Sequence, residues 1–320
     1  MSPPEAGGVL VGVDLGGTQI RAAVATGPGT HGEPVRRRTP AADGPQAVLD
    51  AVAAAVRQAA AGAQCLGLAI GIPGPLDPAT GVVYDAPHLP GWRGLEAGRL
   101  LSERCGCPVV VNNDAKLAAF AEWTRGAGRG TRNFVFVTVS TGVGGGLVLD
   151  GELYTGTAGT AGELGHVPAS PDGPRCGQGH VGCLEGVASG TAIAERARAA
   201  VDAGERSTLR DAKGELDARA VETAALAGDD LANRLFAEAG RALGRAVGGL
   251  VNVLSPDVVA VGGGLLGAGD LLFTPLRDAL GEIAFAEPLA RCRVVPAQLG
   301  TDAGLVGATS WALVRLRSVG

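Results

Sequence analysis

The sequence lacks the surplus of basic residues that nucleic-acid-binding proteins usually carry. Its 27 Lys and Arg residues are outnumbered by 32 Asp and Glu residues, which gives a formal net charge of −5 at pH 7. Because binding to a phosphate backbone depends on Lys and Arg, this balance gives no electrostatic reason to expect a nucleic-acid partner. An anionic substrate would need binding groups arranged locally.

Long apolar runs are also missing from the sequence. The runs at 9–15, 65–72 and 258–266 fall well short of the ~20 residues of a membrane-spanning helix. The first eight residues contain no basic segment of the kind that opens a signal peptide. We therefore expect a cytoplasmic protein with no membrane partner. Its six cysteines are then expected to be free thiols or metal ligands rather than a disulfide framework.

Glycine, by contrast, is abundant in this chain. It accounts for 53 of the 320 residues, or about 17%, against ~7% in an average protein. Hydrophobic residues make up 46% of the sequence, which is enough for a large core and excludes a disordered chain. At roughly 150 residues per domain, the length predicts two domains.

Short Val-rich segments alternate with Ala- and Leu-rich segments, a pattern typical of the α/β class. Strands are predicted at 9–14, 20–26, 65–70, 108–112, 133–139, 146–150 and 257–261. Helices are predicted at 45–61, 94–104, 114–125, 186–202, 217–227, 229–254, 270–281 and 302–317. Residues 155–185 are rich in Gly, Cys and His without periodicity, which predicts a long functional loop.

Two segments of the chain share one pattern, a strand followed by a small Gly/Thr turn and a second strand. They are residues 11–24 and 134–148, and the polar residue that closes the first strand is Asp14 in one and Thr138 in the other. The similarity suggests a duplicated fold. Glycines let backbone N–H groups approach phosphates closely, so the two turns together favour polyphosphate binding, although two ordinary hairpins would share the pattern.

Other phosphate-binding motifs fit the sequence less well. The sequence contains no G-x-x-x-x-G-K-[ST] motif, which excludes a P-loop enzyme. Residues 262–267 match G-x-G-x-x-G after a predicted strand, and Glu287 follows about 20 residues later, as in dinucleotide sites. Because no βαβ repeat follows, we interpret Gly263 and Gly264 as the adenine-side wall of a nucleotide cleft instead.

Six short motifs resemble those of the ROK family (repressors, open reading frames, kinases) of sugar kinases, and they occur in the family's order. They are residues 14–18, 113–115, 140–146, 163–166, 176–185 and 261–264. The resemblance covers about residues 8–316. It implies an α/β fold of the duplicated actin/hexokinase-like (ribonuclease H-like) type, with a nucleotide and sugar cleft between two domains.

The resemblance also implies how the chain is divided. A small domain is expected at 1–115, with the helix 302–317 packing back on it. A large domain is expected at 116–301, carrying a zinc loop and the adenine side of the cleft. A homodimer is expected because two-fold dimers are the commonest assembly.

The family's reaction is phosphoryl transfer from MgATP to a sugar hydroxyl. Residues 70–77 and 86–92 look like the corresponding segments of the family's glucokinases, so the resemblance favours glucose as substrate. Fructose, mannose and N-acetylated hexosamines, including N-acetylmannosamine, stay open as alternatives. Two non-enzymatic alternatives are a sugar-sensing regulator and a repressor, and the latter would need a DNA-binding domain before the first strand.

By resemblance, Asp114 is the catalytic base that accepts the proton of the sugar hydroxyl. Its spacing alone would make it a helix N-cap. The residues implied for the sugar are Gly74, Asn113, Asp114, Glu163, His166 and Glu185. Those implied for ATP and Mg²⁺ are Asp14, Gly16, Gly17, Thr18, Thr141, Gly142, Gly144, Gly263 and Gly264. Lys116 and His88 stand where many members of the family have Asn, and both departures bear on the shape of the sugar site. His31 and Lys116 stay unassigned.

The resemblance further implies a structural Zn²⁺, which relatives hold through one His and three Cys. In this sequence Gln178 takes the place of the middle Cys, and an amide oxygen is a poor zinc ligand. We predict that His180 replaces it, giving the ligand set His166, Cys176, His180 and Cys183. The alternative is that the loss of one Cys abolished the site.

Overall fold

The structure, a computed structural model, describes residues 8–212 and 214–316. Its strands form one sheet of six strands, one of five strands and one of two strands. The predicted domain start at residue 1 and the predicted helix end at residue 317 lie outside the described residues.

The six-stranded sheet lies in the N-terminal part of the chain. Its strands, and the hairpin β6–β7, are β1 (Val9–Leu15), β2 (Gln19–Gly27), β3 (Thr30–His31), β4 (Val35–Arg38), β5 (Cys65–Ile72), β6 (Leu76–Asp77), β7 (Val82–Val83) and β8 (Val109–Asn113). The order is β3-β2-β1-β5-β8, with β4 also paired to β2. The pair β1–β2 is antiparallel, whereas β1–β5 and β5–β8 are parallel. Helices α1 (Pro45–Ala60), α2 (Ala97–Cys105) and α3 (Asp114–Arg125) belong to this part.

The five-stranded sheet repeats that arrangement. Its strands are β9 (Phe134–Val139), β10 (Val143–Leu149), β11 (Glu152–Tyr154), β12 (Val258–Gly262) and β13 (Arg293–Pro296), in the order β11-β10-β9-β12-β13. The pair β9–β10 is antiparallel, and β9–β12 and β12–β13 are parallel. Both sheets therefore contain a hairpin whose first strand is extended by two parallel strands, as the internal sequence similarity predicts.

The remaining helices follow the second hairpin. They are α4 (Leu184–Ala188), α5 (Gly190–Asp202), α6 (Ala218–Leu226), α7 (Asp230–Leu254), α8 (Asp270–Ile283), α9 (Ala286–Arg291) and α10 (Ala303–Leu316). Helix α10 returns to the first sheet, where it packs on β1, β5 and α3. This packing is close, because a Cβ at Gly12 of β1 would lie 2.4 Å from the Thr309 nitrogen. Across the described residues, no helix has both the length and the apolar character that a membrane crossing requires.

Most predicted elements are present, and two predictions of secondary structure are wrong. The single helix predicted at 186–202 is two helices, because Ser189 is extended (ψ 156°) and its hydroxyl caps α5 by accepting the Ala192 N–H at 3.1 Å. Strand β10 begins at Val143 rather than at 146. Gly144 therefore lies in the strand, paired with Thr138, and not in the turn. The short edge strands and α9 were missed because two to six residues carry too little periodicity.

Candidate active site

The polar ends of β1 and β8 lie on either side of β5, at the same edge of the first sheet. Asp14, near the end of β1, is in register with Gly71, and Asn113, the last residue of β8, is in register with Ile72. Because these strands run parallel, their carboxyl ends carry both polar residues to one side, where ligands of α/β sheets usually bind.

Asp114 is the first residue of α3, and its neighbour is the residue that caps the helix. The Asn113 side chain accepts the Lys116 N–H at 3.1 Å, so the N-cap function belongs to Asn113 and not to Asp114. Asp114 Oδ1 accepts the Ala115 N–H at 2.8 Å. Among the described residues, no cation forms an ion pair with Asp114. The start of α3 therefore positions the Asp114 carboxylate, which is not engaged in a helix cap or an ion pair within the described ranges.

Burial raises the pKa of Asp114 to about 6, and the negative charges of Asp14 and Glu163 add to the effect. The Ala115 N–H works in the opposite direction and lowers this pKa. A carboxylate with a raised pKa is a stronger base than an ordinary aspartate, while at neutral pH it is still mostly ionised. The site thus contains a carboxylate suited to accepting a proton from a weak acid such as a hydroxyl.

Asp14 has a partner that sequence reasoning missed. Arg21 of β2 lies opposite Asp14 in the hairpin register, and its Nε and Nη2 atoms are 3.0 and 2.5 Å from Asp14 Oδ2. Arg21 Nη1 also lies 3.7 Å from Asp302, which precedes α10. The tight turn after Asp14 was the available signal, because a short hairpin loop places residues 14 and 21 opposite each other.

The two Gly-rich turns present similar polar groups. In the first turn, the Gly16 N–H donates to the Gln19 carbonyl at 2.9 Å, and Gly17 and the exposed Thr18 lie between them. In the second, the Ser140 N–H donates to the Gly142 carbonyl at 2.9 Å, and Thr141 is exposed.

The second turn is fixed to the start of α5. The Thr141 carbonyl accepts the Thr191 N–H at 3.2 Å and the Thr191 hydroxyl at 2.9 Å. The predicted ATP residue Gly144 lies behind the turn, where a Cβ would be 3.0 Å from Ala115. Its lack of a side chain lets β10 approach the start of α3, which brings the second turn close to Asp114.

A cavity of about 420 Å³ lies beside the second turn. Its wall includes Thr141 and Gly264, together with residues from the starts of α5 and α6. Gly263 has φ +99°, and a Cβ there would lie 2.1 Å from the Val139 carbonyl oxygen, so only glycine fits where the chain turns into the cavity wall. A nucleoside-sized group would fit this volume.

The predicted sugar residues lie on four segments, which are the junction of β8 and α3, the loop after β5, the turn 163–166 and α4. Asn113 Nδ2 donates to the Gly74 carbonyl at 3.1 Å, which ties β8 to the loop after β5. Glu185 Oε2 accepts the Val143 N–H at 3.1 Å, so this carboxylate contacts the second turn. Glu163 lies at the start of a 3₁₀ turn, and its Oε1 is 3.7 Å from the Nζ atom of the buried Lys116.

The four predicted zinc ligands come together in the structure. One donor atom from each of His166, Cys176, His180 and Cys183 lies within 4.8 Å of the others. Gln178 points away, and its Nε2 atom is 3.4 Å from Asp85 Oδ2. The cluster is therefore a candidate metal site, and it borders the segments that carry Glu163 and Glu185.

Proteins of known family and structure resemble this chain. The sequence profile of the ROK family matches residues 10–315. The glucokinase of Thermotoga maritima is 36% identical over 304 residues, covering 94% of this chain and 96% of that protein. The N-acetylmannosamine kinase of Shigella flexneri is 35% identical over 310 residues, covering 93% and 96%.

A solved structure agrees with these sequence matches. The ROK family glucokinase from Streptomyces griseus, crystallised with glucose and AMPPNP, superposes with a TM-score of 0.82 at 33% identity, covering 96% of this chain and 100% of that chain. The predicted actin/hexokinase-like α/β fold is thereby confirmed. With the family profile matching almost the whole described chain, this protein belongs to the ROK family.

Proposed function

We propose that the chain is an ATP-dependent hexose kinase that converts glucose to glucose 6-phosphate. The observation that carries this proposal is Asp114, a part-buried carboxylate at the start of α3 whose pKa is raised by burial and by the nearby Asp14 and Glu163 carboxylates. Similarity to the glucokinases of Thermotoga maritima and Streptomyces griseus supports the same reaction. Asp114 would accept the proton of the attacking hydroxyl as the phosphoryl group is transferred.

The other site residues would bind and orient the two substrates. Glu163 and Glu185 offer carboxylate oxygens to sugar hydroxyls, and Asn113, His166 and the Gly74 loop complete the sugar side. The backbone N–H groups and Thr hydroxyls of both Gly-rich turns would bind the phosphates of ATP, and Asp14 would position its Mg²⁺. The cavity bounded by Gly264 would hold the adenosine. Transfer then depends mainly on positioning and charge stabilisation.

We further propose that the His/Cys cluster binds one structural Zn²⁺. Tetrahedral zinc, with Zn–N of ~2.0–2.1 Å and Zn–S of ~2.3 Å, separates two nitrogens by about 3.3 Å and a nitrogen from a sulfur by about 3.6 Å. The Nδ1 atoms of His166 and His180 are 3.3 Å apart, and Cys176 Sγ lies 3.9 and 3.8 Å from them. The donor set therefore fits zinc. A bound metal would clamp the aperiodic loop and orient His166, whose other ring nitrogen remains available to the sugar.

A second substrate assignment has a specific observation in its favour. The N-acetylmannosamine kinase of Shigella flexneri matches this chain at 35% identity, nearly the same value as the glucokinases. One or two hydroxyl contacts separate such substrates. N-acetylmannosamine is therefore the competing hexose, followed by fructose.

The experiment that tests the proposal is an ADP-release assay across a panel of hexoses with MgATP. Glucose should give the highest kcat/KM, with the product phosphorylated at the 6-hydroxyl. A preference of a hundredfold for N-acetylmannosamine or fructose would overturn the substrate and keep the kinase. Absence of ADP release with every hexose would overturn the kinase itself.

We also propose that the chain folds as two domains divided near residue 115, with α10 packed on the first. The contacts of α10 with β1 and β5 support its assignment to the first domain. A homodimer remains a prediction. Small-angle scattering tests both points, since the forward intensity gives the number of chains and saturating glucose should reduce the radius of gyration if the domains close on the sugar.

A further inference from the structure

Lys116 is a charged residue buried directly beneath the proposed sugar site. It lies in the first turn of α3, two residues after Asp114, and its exposed fraction is 0%. An ammonium group is costly to bury unless it is paired and hydrogen-bonded. Its Nζ donates to the Gly159 carbonyl and lies 3.7 Å from Glu163 Oε1. Both partners of this cation, Gly159 and Glu163, belong to the loop between β11 and α4.

That loop is held against the β6–β7 hairpin. Gly159 has φ +74°, and a Cβ there would lie 2.5 Å from the Leu76 carbonyl oxygen, so the loop backbone touches β6. The Tyr84 hydroxyl donates to the Ala158 carbonyl at 3.2 Å, which ties the loop to the residue after β7. Lys116 therefore joins α3 to a loop that also contacts the β6–β7 hairpin.

Glu163 is placed so that only part of its carboxylate is used by the lysine. Its side chain is 31% exposed, whereas that of Lys116 is 0% exposed. Oε1 faces the lysine, and a carboxylate has acceptor capacity on both oxygens. Oε2 is therefore available to accept hydrogen bonds from a substrate hydroxyl while the cation limits rotation of the group.

The lysine also balances charge around Asp114. Asp14 from β1 and Glu163 from the loop raise the pKa of Asp114, and Asp114 also interacts electrostatically with Lys116. Asp14 is paired with Arg21 and Glu163 with Lys116, so each of these carboxylates has a cation of its own. Burial lowers the pKa of Lys116, and the charges of Glu163 and Asp114 raise it.

We propose that Lys116 is a positioning residue that holds the Glu163 carboxylate and the Gly159 carbonyl in place beneath the bound hexose, so that Glu163 accepts its hydrogen bonds in a fixed orientation. The proposal rests on the proposed function, because it assigns Glu163 to the sugar. Lys116 touches no substrate itself. Its removal should loosen Glu163, weaken hexose binding and leave the charge of Glu163 acting on Asp114 without compensation.

Lys116→Met tests this assignment, since methionine has a similar length and no charge. We expect the glucose KM and the calorimetric Kd to rise about tenfold, the loss expected for one charge-assisted hydrogen bond. The acid limb of the kcat profile should move to higher pH, because Asp114 would lose a neighbouring positive charge. A purely structural role would lower thermal stability without moving either quantity.

Two further variants make the test specific. Glu163→Gln and the double variant Lys116→Met/Glu163→Gln close a double-mutant cycle, and the effects on the glucose Kd should be strongly non-additive if Lys116 acts through Glu163. Lys116→Gln keeps an N–H donor on a side chain one bond shorter and removes the charge. It should also raise the Kd, and it replaces Lys116→Met if that variant does not fold.

The outcomes separate this proposal from the proposed function. The positioning role alone would be overturned if the wild type binds glucose and both Lys116→Met and Lys116→Gln keep the wild-type glucose Kd and the wild-type acid limb of the kcat profile. Additive effects in the cycle would show that Lys116 does not act through Glu163. A wild-type protein that neither binds nor phosphorylates any hexose would overturn both.

Discussion

Helix α3 carries a carboxylate near each end, and the two differ in how their oxygens are satisfied. Near the C-terminal end, Glu122 is 0% exposed and accepts three backbone N–H groups. Oε1 accepts those of Gln298 and Leu299 at 2.9 and 2.6 Å, and Oε2 accepts that of Ala127 at 3.0 Å. This carboxylate joins the connection from α3 to β9 to the connection from β13 to α10, so it links both crossings between the two sheets.

At the N-terminal end, Asp114 accepts the N–H of Ala115 and is surrounded by like charges. Burial together with Asp14 and Glu163 raises its pKa to about 6. The comparison teaches that burial alone does not make a carboxylate reactive. A buried carboxylate whose oxygens are filled by backbone donors stabilises the fold, whereas one short of donors retains basicity that a reaction can use.

The largest expected effect comes from Asp114→Asn. Loss of the base should lower kcat by at least ~10²-fold, the usual contribution of a positioned acid–base group. The thermal-unfolding midpoint should rise rather than fall, because a neutral amide removes a charge that folding disfavours. Steady-state kinetics and thermal unfolding measure the two effects. If kcat were preserved and the midpoint fell, Asp114 would be a structural carboxylate of α3 and not the catalytic base.

The pH dependence sharpens the same contrast. Since Asp114 must be ionised to accept a proton, kcat/KM should fall about tenfold per pH unit below pH 6 and be independent of this group above it. The pKa of Asp114 is higher in the folded than in the unfolded state, so its ionisation opposes folding at neutral pH. The stability advantage of Asp114→Asn should therefore shrink as the pH falls through about 6. A flat activity profile down to pH 4 would contradict the assignment.

Glu122→Gln should give the opposite pattern and serves as the matched control on the same helix. An amide cannot accept hydrogen bonds on its nitrogen, so the donor that now faces Oε2, the Ala127 N–H, would lose its acceptor. The free energy of unfolding should fall by about 1–3 kcal/mol. The kcat value should stay near that of the wild type, as measured well below the unfolding midpoint. A kcat loss as large as that of Asp114→Asn would show that both ends of α3 take part in the reaction.

The smallest effect is expected in the loop that carries Glu163 and the His/Cys cluster. Protein purified without added metal should contain close to one zinc per chain by elemental analysis. His180→Ala should reduce this content and raise the hexose KM severalfold, because the loop would no longer hold His166 and Glu185. Gln178→Ala is the control and should change neither quantity. The reverse pattern would disprove the ligand assignment, and zinc-free wild-type protein would disprove the site.

Comparison of the predicted and observed strands and helices shows which features local sequence patterns determine. Residues 9–14 and 65–70 were predictable as strands because short apolar runs bounded by glycines are local signals. The break of the helix at Ser189 was not, since helix-forming residues such as Leu, Glu and Ala occur on both sides of it. Neither was the location of Gly144 in β10, because the close approach of Ala115 comes from a different part of the chain.

The sequence by itself determined the α/β alternation, the duplicated hairpin and the family. It also led to the prediction that His180, rather than Gln178 at the usual Cys position, is the fourth zinc ligand. These follow from residue periodicity and from motifs that are contiguous or closely spaced. Only the tertiary structure decided the partners of the charges, Arg21 for Asp14, Lys116 for Glu163 and the distant backbone N–H groups for Glu122. Such pairings depend on which segments the chain topology brings together, and the number of donors that reach each carboxylate then decides whether it stabilises the fold or remains available for chemistry.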